Sequence, residues 1–370
     1  MANGQYIIEQ FEAFSPKKFA LEGDPIGLQI GTLNKEVKRV LVTLDVLESV
    51  VDEAIEKQVD LIIAHHPPIF SKLANVTDRS ATGRIVMKCM QHDIAVYAAH
   101  TNLDVTPGGV NDWMAEALGL ETCEVLAPTF ENTRYKLSVF VPDEAVESVS
   151  RALAEAGAGQ EGDYRDCQFH VSGTGQFRPS MEATPYIGEA GELERVSEVR
   201  IETIVTELNQ KQVIRAMKQA HPYEEVAYDL IRQERPAAPL GLGRIGQLSE
   251  SMTLRSFAEH VRQVFGVQNL RFVGDEERLI RKVAVLGGDG NKYVSAAAFA
   301  GADVLVTGDL YFHVAHDALA LGVAVVDPGH HVESVMKEGV VRELTRRFKE
   351  KKIDAELIVS SANTNPFQFL

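Results

Sequence analysis

Three short segments of the chain carry closely spaced histidines or carboxylates, and each follows an apolar run that predicts a β-strand. The first is His65-His66-Pro67-Pro68, directly after the apolar run 61–64. The two prolines end any regular element and stiffen the loop, so both imidazole rings can face one cavity. Neutral imidazole nitrogens suit Zn, Fe, Mn and Ni. Taken alone, a histidine pair satisfied by backbone carbonyls is the competing interpretation.

The second segment is His100-Thr101-Asn102-Leu103-Asp104, which follows the predicted strand 94–98. Asp104 could bind one metal ion or bridge two. Pro107-Gly108-Gly109 follows closely and supports a plain turn as the alternative role of this loop. His100 is the better candidate for a residue that orients a ligand from behind, because metal ligands commonly have such a hydrogen-bonding neighbour.

The third segment, Asp327-Pro328-Gly329-His330-His331-Val332-Glu333, follows the predicted strand 323–326. The pattern predicts a tight turn and then the first turn of a helix, where His330 and Glu333 share a face and can hold one ion. His331 is expected to point elsewhere. In the alternative interpretation, Glu333 only complements the positive helix terminus and His330 caps it.

Together these segments offer three histidines and two carboxylates, all at the ends of predicted strands, where α/β sheets bind ligands. This set exceeds the three protein ligands of a usual catalytic zinc ion, yet it does not saturate two ions. It therefore predicts a two-metal site with open positions, suited to metal-assisted hydrolysis. The candidate ligands are His65, His66, Asp104, His330 and Glu333.

The elements that must position these residues alternate between short apolar runs and helical patterns, at both ends of the chain. The expected fold class is α/β, with two α/β halves and a mainly parallel sheet. The predicted strands are 40–42, 61–64, 94–98, 283–286, 304–306, 323–326 and 357–359. The predicted helices include 47–55, 85–90, 110–118, 257–265, 294–300, 314–321 and 333–348.

The middle of the chain has a different order of elements, which reads β-α-β-β-α-β and matches the ferredoxin-like plan. Its expected strands and helices are 137–141, 144–156, 167–172, 199–205, 211–219 and 226–231. Pro236, Pro239 and the glycines after them indicate an exit linker. The sequence thus predicts a discontinuous metal-binding α/β domain, 1–130 with 238–370, interrupted by an inserted domain, 131–237.

The composition and net charge of the chain argue against several classes of binding partner and site. The chain has 370 residues, with 37 Lys and Arg against 53 Asp and Glu, hence a formal charge of −16. This balance argues against nucleic acids and anionic membrane surfaces as partners. The cysteines, Cys89, Cys123 and Cys167, are too far apart to indicate a disulfide framework or a cysteine zinc site. The start lacks a signal-like pattern and no long apolar run occurs, so we expect a cytoplasmic protein.

The segment 23–31, Gly-Asp-Pro-Ile-Gly-Leu-Gln-Ile-Gly, and the three segments above resemble the Nif-three-like family, whose bacterial members are often labelled GTP cyclohydrolase 1 type 2 homologues. The middle of the chain resembles the insert of long bacterial members. The resemblance implies a dinuclear divalent-metal site on the five residues already named, a toroidal homohexamer and GTP ring opening. Some members place the last Glu four residues after the His; here the spacing is three, which still keeps both on one helical face.

Two functions remain open at this point. One is a metal-dependent hydrolase acting on a small anionic substrate, by GTP ring opening or by nucleotide or phosphoester hydrolysis. The other is a non-catalytic, metal-dependent scaffold or regulatory protein that acts through its inserted domain, because no substrate-specific motif accompanies the ligands. Zn is the expected ion, while Fe, Mn and Ni are compatible. No separate catalytic base is evident.

Four further motifs could bind a ligand, but a structural role explains each of them more simply. The segment 287–290, Gly-Gly-Asp-Gly, could hold an anion but is more typical of a strand-to-helix turn. The segment 241–246 fits G-x-G-x-x-G but follows a proline-rich linker, so dinucleotide binding is rejected. His313 and His316 are expected on a helix surface. The segment 221–225, His-Pro-Tyr-Glu-Glu, could be a small-ligand loop, although a packed loop before an edge strand is the simpler interpretation.

Overall fold

The computed structural model describes residues 2–370, which divide into two compact units. One unit contains the chain up to residue 130 together with 240–370, and the other contains 131–239. Among the described residues, no helix combines the length and the apolar character needed to cross a membrane.

Strands and helices alternate through most of the chain. Before residue 131 they are β1 (Ala2–Asn3), α1 (Gly4–Phe14), β2 (Gly27–Ile30), β3 (Glu36–Val37), β4 (Arg39–Thr43), α2 (Glu48–Glu56), β5 (Leu61–Ala64), α3 (Ala81–Gln91), β6 (Ala95–Ala98), α4 (Thr101–Val105), α5 (Val110–Ala117) and β7 (Glu121–Phe130). In 131–239 they are β8 (Arg134–Pro142), α6 (Val146–Glu155), β9 (Gln168–Phe177), β10 (Glu194–Thr206), α7 (Gln210–Ala220) and β11 (Tyr228–Arg232).

The chain then returns to the first unit. Its elements there are β12 (Leu240–Thr253), α8 (Leu254–Val264), β13 (Arg271–Val273), β14 (Leu279–Asp289), α9 (Val294–Phe299), β15 (Val304–Gly308), α10 (Phe312–Leu321), β16 (Ala324–Asp327), α11 (Val335–Lys351) and β17 (Glu356–Val359). Short 3-10 helices occupy Lys17–Phe19, Asp143–Ala145, Asn291–Tyr293 and His330–Ser334.

Two larger sheets organise the first unit within the described residues. One has the order β17-β4-β5-β6-β2 and is parallel except for β2, which runs antiparallel to β6. The other has the order β13-β16-β15-β14-β12-β7, where only the β14–β15 and β15–β16 pairs are parallel. The fold is mixed α/β. The prediction of a mainly parallel sheet is right for the first sheet and wrong for the second.

The second sheet was mispredicted because its long antiparallel strands carry glycine and proline. The segment 241–246, assigned above to the region after a linker, lies inside β12. Gly241 pairs with Pro128 of β7, and a Cβ atom on Gly241 would overlap the Ala127 carbonyl, so the close approach of the two strands requires glycine. These glycines serve the packing of the two strands.

One hydrophobic core lies between the two sheets and includes α1, α5, α8 and α11. Both sheets contribute to it, for example through Val42 and Ile63 on one side and Val285 and Val306 on the other. The outer faces are covered by α2 and α3 on the first sheet and by α9 and α10 on the second. Because the central strands are buried on both faces, they appear in the sequence as continuous apolar runs.

The second unit is a sheet with helices on one face. The strand order is β11-β8-β10-β9, and all neighbouring strands are antiparallel. Alternate residues such as Val139 and Ile201 pack against α6 and α7, where Val149, Leu153 and Met217 complete the core. The residues between them, such as Phe140, therefore face the side of the sheet that lacks the helices.

Candidate metal centre

The five candidate ligands come from the ends of strands in both sheets of the first unit. His65 and His66 follow β5, and their amides continue its hydrogen bonding by donating to the carbonyls of Thr43 and Leu44. His65 is fully buried. These two hydrogen bonds fix the backbone of His65 and His66 at the carboxyl end of the sheet, and so fix the positions from which their side chains extend.

Asp104 lies in α4, a short helix that begins one residue after His100, where the sequence predicted a loop. Burial of Leu103 and Val105 stabilises this helix, and Asp104 itself is only 8% exposed. His330 and Glu333 lie on a 3-10 helix that precedes α11, not in the first turn of the α-helix itself. Glu333 is 3% exposed and points into the same cluster as Asp104.

The side-chain atoms of these residues converge. The Nε2 atoms of His66 and His330 lie 3.2 and 3.1 Å from Oε2 of Glu333. Nε2 of His65 lies 3.5 Å from Oδ1 of Asp104 and 3.8 Å from Oε1 of Glu333. Each carboxylate oxygen of Glu333 thus faces a different set of imidazoles.

This cluster fits a bound metal ion. Nε2 of His65 and Oδ1 of Asp104 are buried and have no hydrogen-bond partner among the described residues, which is costly unless another group satisfies them. A Cβ atom at Gly287 would lie 2.8 Å from Oε1 of Glu333, so only glycine leaves room for the carboxylate. The donor set of imidazole nitrogens and carboxylate oxygens suits divalent ions.

Within residues 2–370, three groups of side chains offer ligand atoms close enough for one ion. They are His65, His66 and His100; His66, His330 and Glu333; and His65, Asp104 and Glu333. The sequence predicted that His100 orients a ligand through a hydrogen bond, whereas the structure places His100 among the possible ligands themselves. His331 belongs to none of these groups, as expected.

Each imidazole of the cluster is held from behind through Nδ1. His66 contacts Asp45 at 2.7 Å, His330 contacts Asp309 at 2.7 Å, and His100 contacts Asp24 at 2.9 Å. His65 is held by the carbonyl of Ala99 at 2.9 Å. With Nδ1 occupied, Nε2 of each ring is directed to the centre, which is the usual arrangement around protein-bound metals.

Residues 2–366 match the model of the Duf34/NIF3 (NGG1p interacting factor 3) family. The chain belongs to this family. A relative named GTP cyclohydrolase 1 type 2 homolog, from Bacillus subtilis (strain 168), is 59% identical over 368 residues, covering 100% of this chain and 99% of the relative. The match includes the middle of the chain as well as the first unit.

Solved structures support the same NIF3 assignment. A Bacillus cereus protein related to NIF3 is 54% identical with a TM-score of 0.92, covering 100% of this chain and 99% of that one. A Staphylococcus aureus protein is 34% identical with a TM-score of 0.73 over the same shares. The NIF3 fold of this chain is therefore established.

The electrostatics of this NIF3-family cluster follow from burial and close contacts. Burial opposes protonation of His66, but hydrogen bonds with Asp45 and Glu333 outweigh it and raise its pKa to about 10. The Glu333 contact raises the pKa of His330 to about 9. Burial raises the pKa of Asp104 to about 6. The buried carboxylates thus favour positive charge at the imidazoles, and metal binding would compete with protons there.

The NIF3-family cluster is accessible from a cavity of about 490 Å³. His66, His100 and His330 line it, together with Phe70 and Lys292. Gly287 and Gly288 also line this cavity from the end of β14, where the sequence predicted a strand-to-helix turn. The 3-10 helix Asn291–Tyr293 begins directly after the segment 287–290, in agreement with that prediction, and the two glycines also leave room for Glu333.

Sequence reasoning missed several residues that hold the cluster. Asp24, Asp45 and Asp309 are single carboxylates near strand ends, and nothing local distinguishes them from turn or cap residues. Asn111 was missed too; it donates to the Asp104 carbonyl and accepts from the Gly287 amide, both at 3.0 Å. Asp24 had one signal, because it lies in the segment 23–31. His313 and His316 lie on α10 and belong to none of the ligand groups found within the described residues.

Proposed function

We propose that this NIF3-family chain is a metal-dependent hydrolase with a dinuclear centre held by His65, His66, Asp104, His330 and Glu333. The observation that carries the proposal is the Glu333 carboxylate. Its Oε2 faces His66 and His330, whereas its Oε1 faces His65, which also faces Asp104. Glu333 thus belongs to two groups of candidate ligands, His66 with His330 and His65 with Asp104, and each group would hold one ion.

Zinc is the ion we expect, and the mixed nitrogen and oxygen donors also accept Fe, Mn or Ni. When bound, the ions would supply Lewis-acid activation for hydrolysis. The protein supplies rigid ligands, because Asp45, Asp309 and the Ala99 carbonyl fix the ring orientations.

His100 and Asp24 form a pair that can hold and move a proton at the edge of the cluster. Asp24 accepts hydrogen bonds from His100 Nδ1 and from the Thr101 amide at 3.0 Å. Burial opposes ionisation of Asp24, but these hydrogen bonds outweigh it and lower its pKa. The ionised Asp24 keeps a proton on Nδ1, so His100 can accept or donate a proton at Nε2.

The substrate we propose is a small anionic molecule, such as a nucleotide. Lys292 lines the cavity beside the cluster and has no carboxylate partner among residues 2–370, so its ammonium group is available to a phosphate. Relatives named GTP cyclohydrolase 1 type 2 homolog make GTP ring opening one candidate reaction. Phosphoester hydrolysis would use the same ligands.

We further propose that the chain assembles as a homohexamer. Phe299 of α9 is 96% exposed and Phe312 of α10 is 74% exposed, and the two helices contact each other. Large exposed apolar side chains on neighbouring helices favour an interface between subunits. The molar mass in solution, measured by light scattering coupled to size exclusion, tests this assembly.

For residues 131–239 we propose an inserted domain of the ferredoxin-like type. The support is the order strand, helix, strand, strand, helix, strand and the sheet order β11-β8-β10-β9. A second candidate function, a metal-dependent scaffold or regulatory protein acting through this unit, is favoured by one observation. The unit contains a cavity of its own, about 400 Å³ in volume.

The deciding experiment measures metal content and turnover together. The purified chain is expected to hold about two divalent ions, measured by elemental analysis, and to hydrolyse at least one member of a panel of nucleoside triphosphates, including GTP, and phosphodiesters. His65→Ala should abolish this activity. No turnover by the metal-loaded chain, or equal turnover in His65→Ala, contradicts the enzyme. Full metal content in His65→Ala/His330→Ala contradicts the ligand assignment.

A further inference from the structure

The cavity in the second unit lies on the face of the sheet opposite α6 and α7. Phe140 of β8, Phe177 of β9 and Glu198 of β10 line it, and the segment 178–193 between β9 and β10 contributes further walls. Tyr223, from the segment 221–225 noted in the sequence, closes one side. A volume of about 400 Å³ is enough for a small organic molecule.

Glu198 is the decisive residue of this cavity. It is 8% exposed, and its Oε1 accepts a hydrogen bond of 3.0 Å from the Tyr223 hydroxyl. Within residues 2–370, no Lys or Arg pairs with it and no hydrogen bond reaches Oε2. A Cβ atom on Gly175 would overlap this carboxylate, so glycine is needed for its position. A bound cation would supply the opposite charge that no Lys or Arg gives this carboxylate.

The other walls suit a cation with apolar groups. The Tyr223 ring lies 6.1 Å from Phe177 and 6.2 Å from Tyr186, at inclinations of 62° and 51°. All three rings line the cavity, so a cation bound there can meet aromatic faces. The hydroxyl groups of the two tyrosines are hydrogen-bonded to carboxylates, Tyr223 to Glu198 and Tyr186 to Glu144.

The charges around the cavity are mainly negative. Glu224 and Glu225 line it together with Glu198, whereas Arg178 is its single basic lining residue within the described chain. Arg178 already donates a hydrogen bond of 2.6 Å to the Gly191 carbonyl. Glu224 accepts a hydrogen bond from the Thr184 amide at 3.3 Å, which ties the segment 178–193 to this side of the cavity.

We propose that this cavity binds an organic cation, specifically an alkylammonium or quaternary ammonium group. The Glu198 carboxylate faces the charge, and Phe177, Tyr186 and Tyr223 contact the alkyl groups. The site belongs to the second unit and uses none of the candidate metal ligands. It is therefore a binding function separate from the proposed hydrolysis.

The test is calorimetric titration of the full chain with choline and with 3,3-dimethylbutan-1-ol, a neutral molecule of the same shape. We expect saturable, one-to-one binding of choline with a dissociation constant of about 1 mM or lower. The neutral molecule should bind at least about tenfold more weakly, because it lacks the charge. Glu198→Gln should weaken choline binding about tenfold. Glu202→Gln, on the same face of β10 but paired with Lys136, is the matched control and should bind as wild type does.

Three results overturn the proposal: no choline binding up to about 50 mM, equal binding of the neutral molecule, or unchanged binding by Glu198→Gln. If Glu198→Gln does not fold, Tyr186→Ala replaces it, since this side chain is 53% exposed. Unchanged choline binding by Tyr186→Ala then overturns the proposal as well. Metal content, measured on the same samples, reports on the metal centre separately and should not change in any of these variants.

Discussion

His66 and Asp45 are joined by a contact of 2.7 Å between Nδ1 and a carboxylate oxygen, and the other oxygen of Asp45 accepts a hydrogen bond from the Thr364 hydroxyl. Asp45 therefore links the cluster to the C-terminal segment. Although burial opposes its ionisation, the contacts with His66 and Thr364 outweigh burial and lower the pKa of Asp45. The ring of His66 is held by a charged partner that is itself fixed.

The first prediction concerns this contact. Asp45→Asn should weaken metal binding about 10- to 100-fold, because the ring loses the charged partner that orients it and raises its basicity. Competition with a chromophoric chelator measures the affinity. Asp52→Asn, which removes an exposed carboxylate paired with Lys88, is the control and should leave the affinity unchanged. Equal affinity in Asp45→Asn and wild type would show that Asp45 has no part in the site.

The second prediction concerns the room that Gly287 leaves for Glu333. Gly287→Ala should displace the Glu333 carboxylate, lower the metal content and destabilise the fold by about 1–3 kcal/mol through overpacking. Elemental analysis and thermal unfolding check the two effects. Gly173→Ala, at a glycine whose added Cβ atom would contact nothing within 4 Å, should change neither.

The third prediction separates two roles of His100. If His100 moves a proton, His100→Gln should keep the full metal content, lower kcat about 100-fold and remove one limb of the pH profile. Loss of one ion per chain in this variant would instead identify His100 as a ligand. The control is His92→Gln, because His92 is exposed at the end of α3 and should affect neither metal content nor rate.

The fourth prediction concerns stability and pH. Glu53 of α2 accepts hydrogen bonds from Lys57 at 2.6 Å, from the Ser360 hydroxyl at 2.6 Å and from the Ser361 amide at 2.9 Å. Burial opposes its ionisation, but these hydrogen bonds outweigh burial and lower its pKa from 4.5 to about 2. The folded state therefore binds this proton less readily than the unfolded state does.

Glu53→Gln should lower the free energy of unfolding by about 2 kcal/mol at neutral pH. The stabilisation by Glu53 is fully present above pH 4.5 and is lost as the pH falls towards about 2. Chemical denaturation of wild type and variant across this range should show the difference shrinking with acid. Glu56→Gln, on an exposed position of the same helix, should show no such pH-dependent difference.

The central elements could be predicted from the sequence because burial on both faces produces unbroken apolar runs. The predicted strands 61–64 and 304–306 lie within β5 and β15 for this reason. The strands β7 and β12 were missed, since their glycines and prolines resemble a linker. Whether the parallel strands form one sheet or two depends on long-range pairing, which local patterns do not contain.

Some residues of the candidate site could likewise be predicted from the sequence, whereas others are identified only by the structure. His65 and His66 could be found because the prolines after them restrict the local backbone, and the structure brings all five candidate ligands together. Asp309 contacts His330, which is 21 residues away in the chain, and Asn111 contacts Gly287, which is 176 residues away. Such partners have no signature in their own neighbourhood, so only the folded arrangement identifies them.

His66 and Glu333 are 267 residues apart in the chain, with residues 131–239 between them. During translation at about 5–20 residues per second, His66 leaves the ribosome roughly 15 to 50 s before Glu333 does. An ion shared by the two cannot be captured by the nascent chain in that interval. The complete ligand set of the proposed centre therefore forms only after residues 131–239 and the segment up to Glu333 have been synthesised.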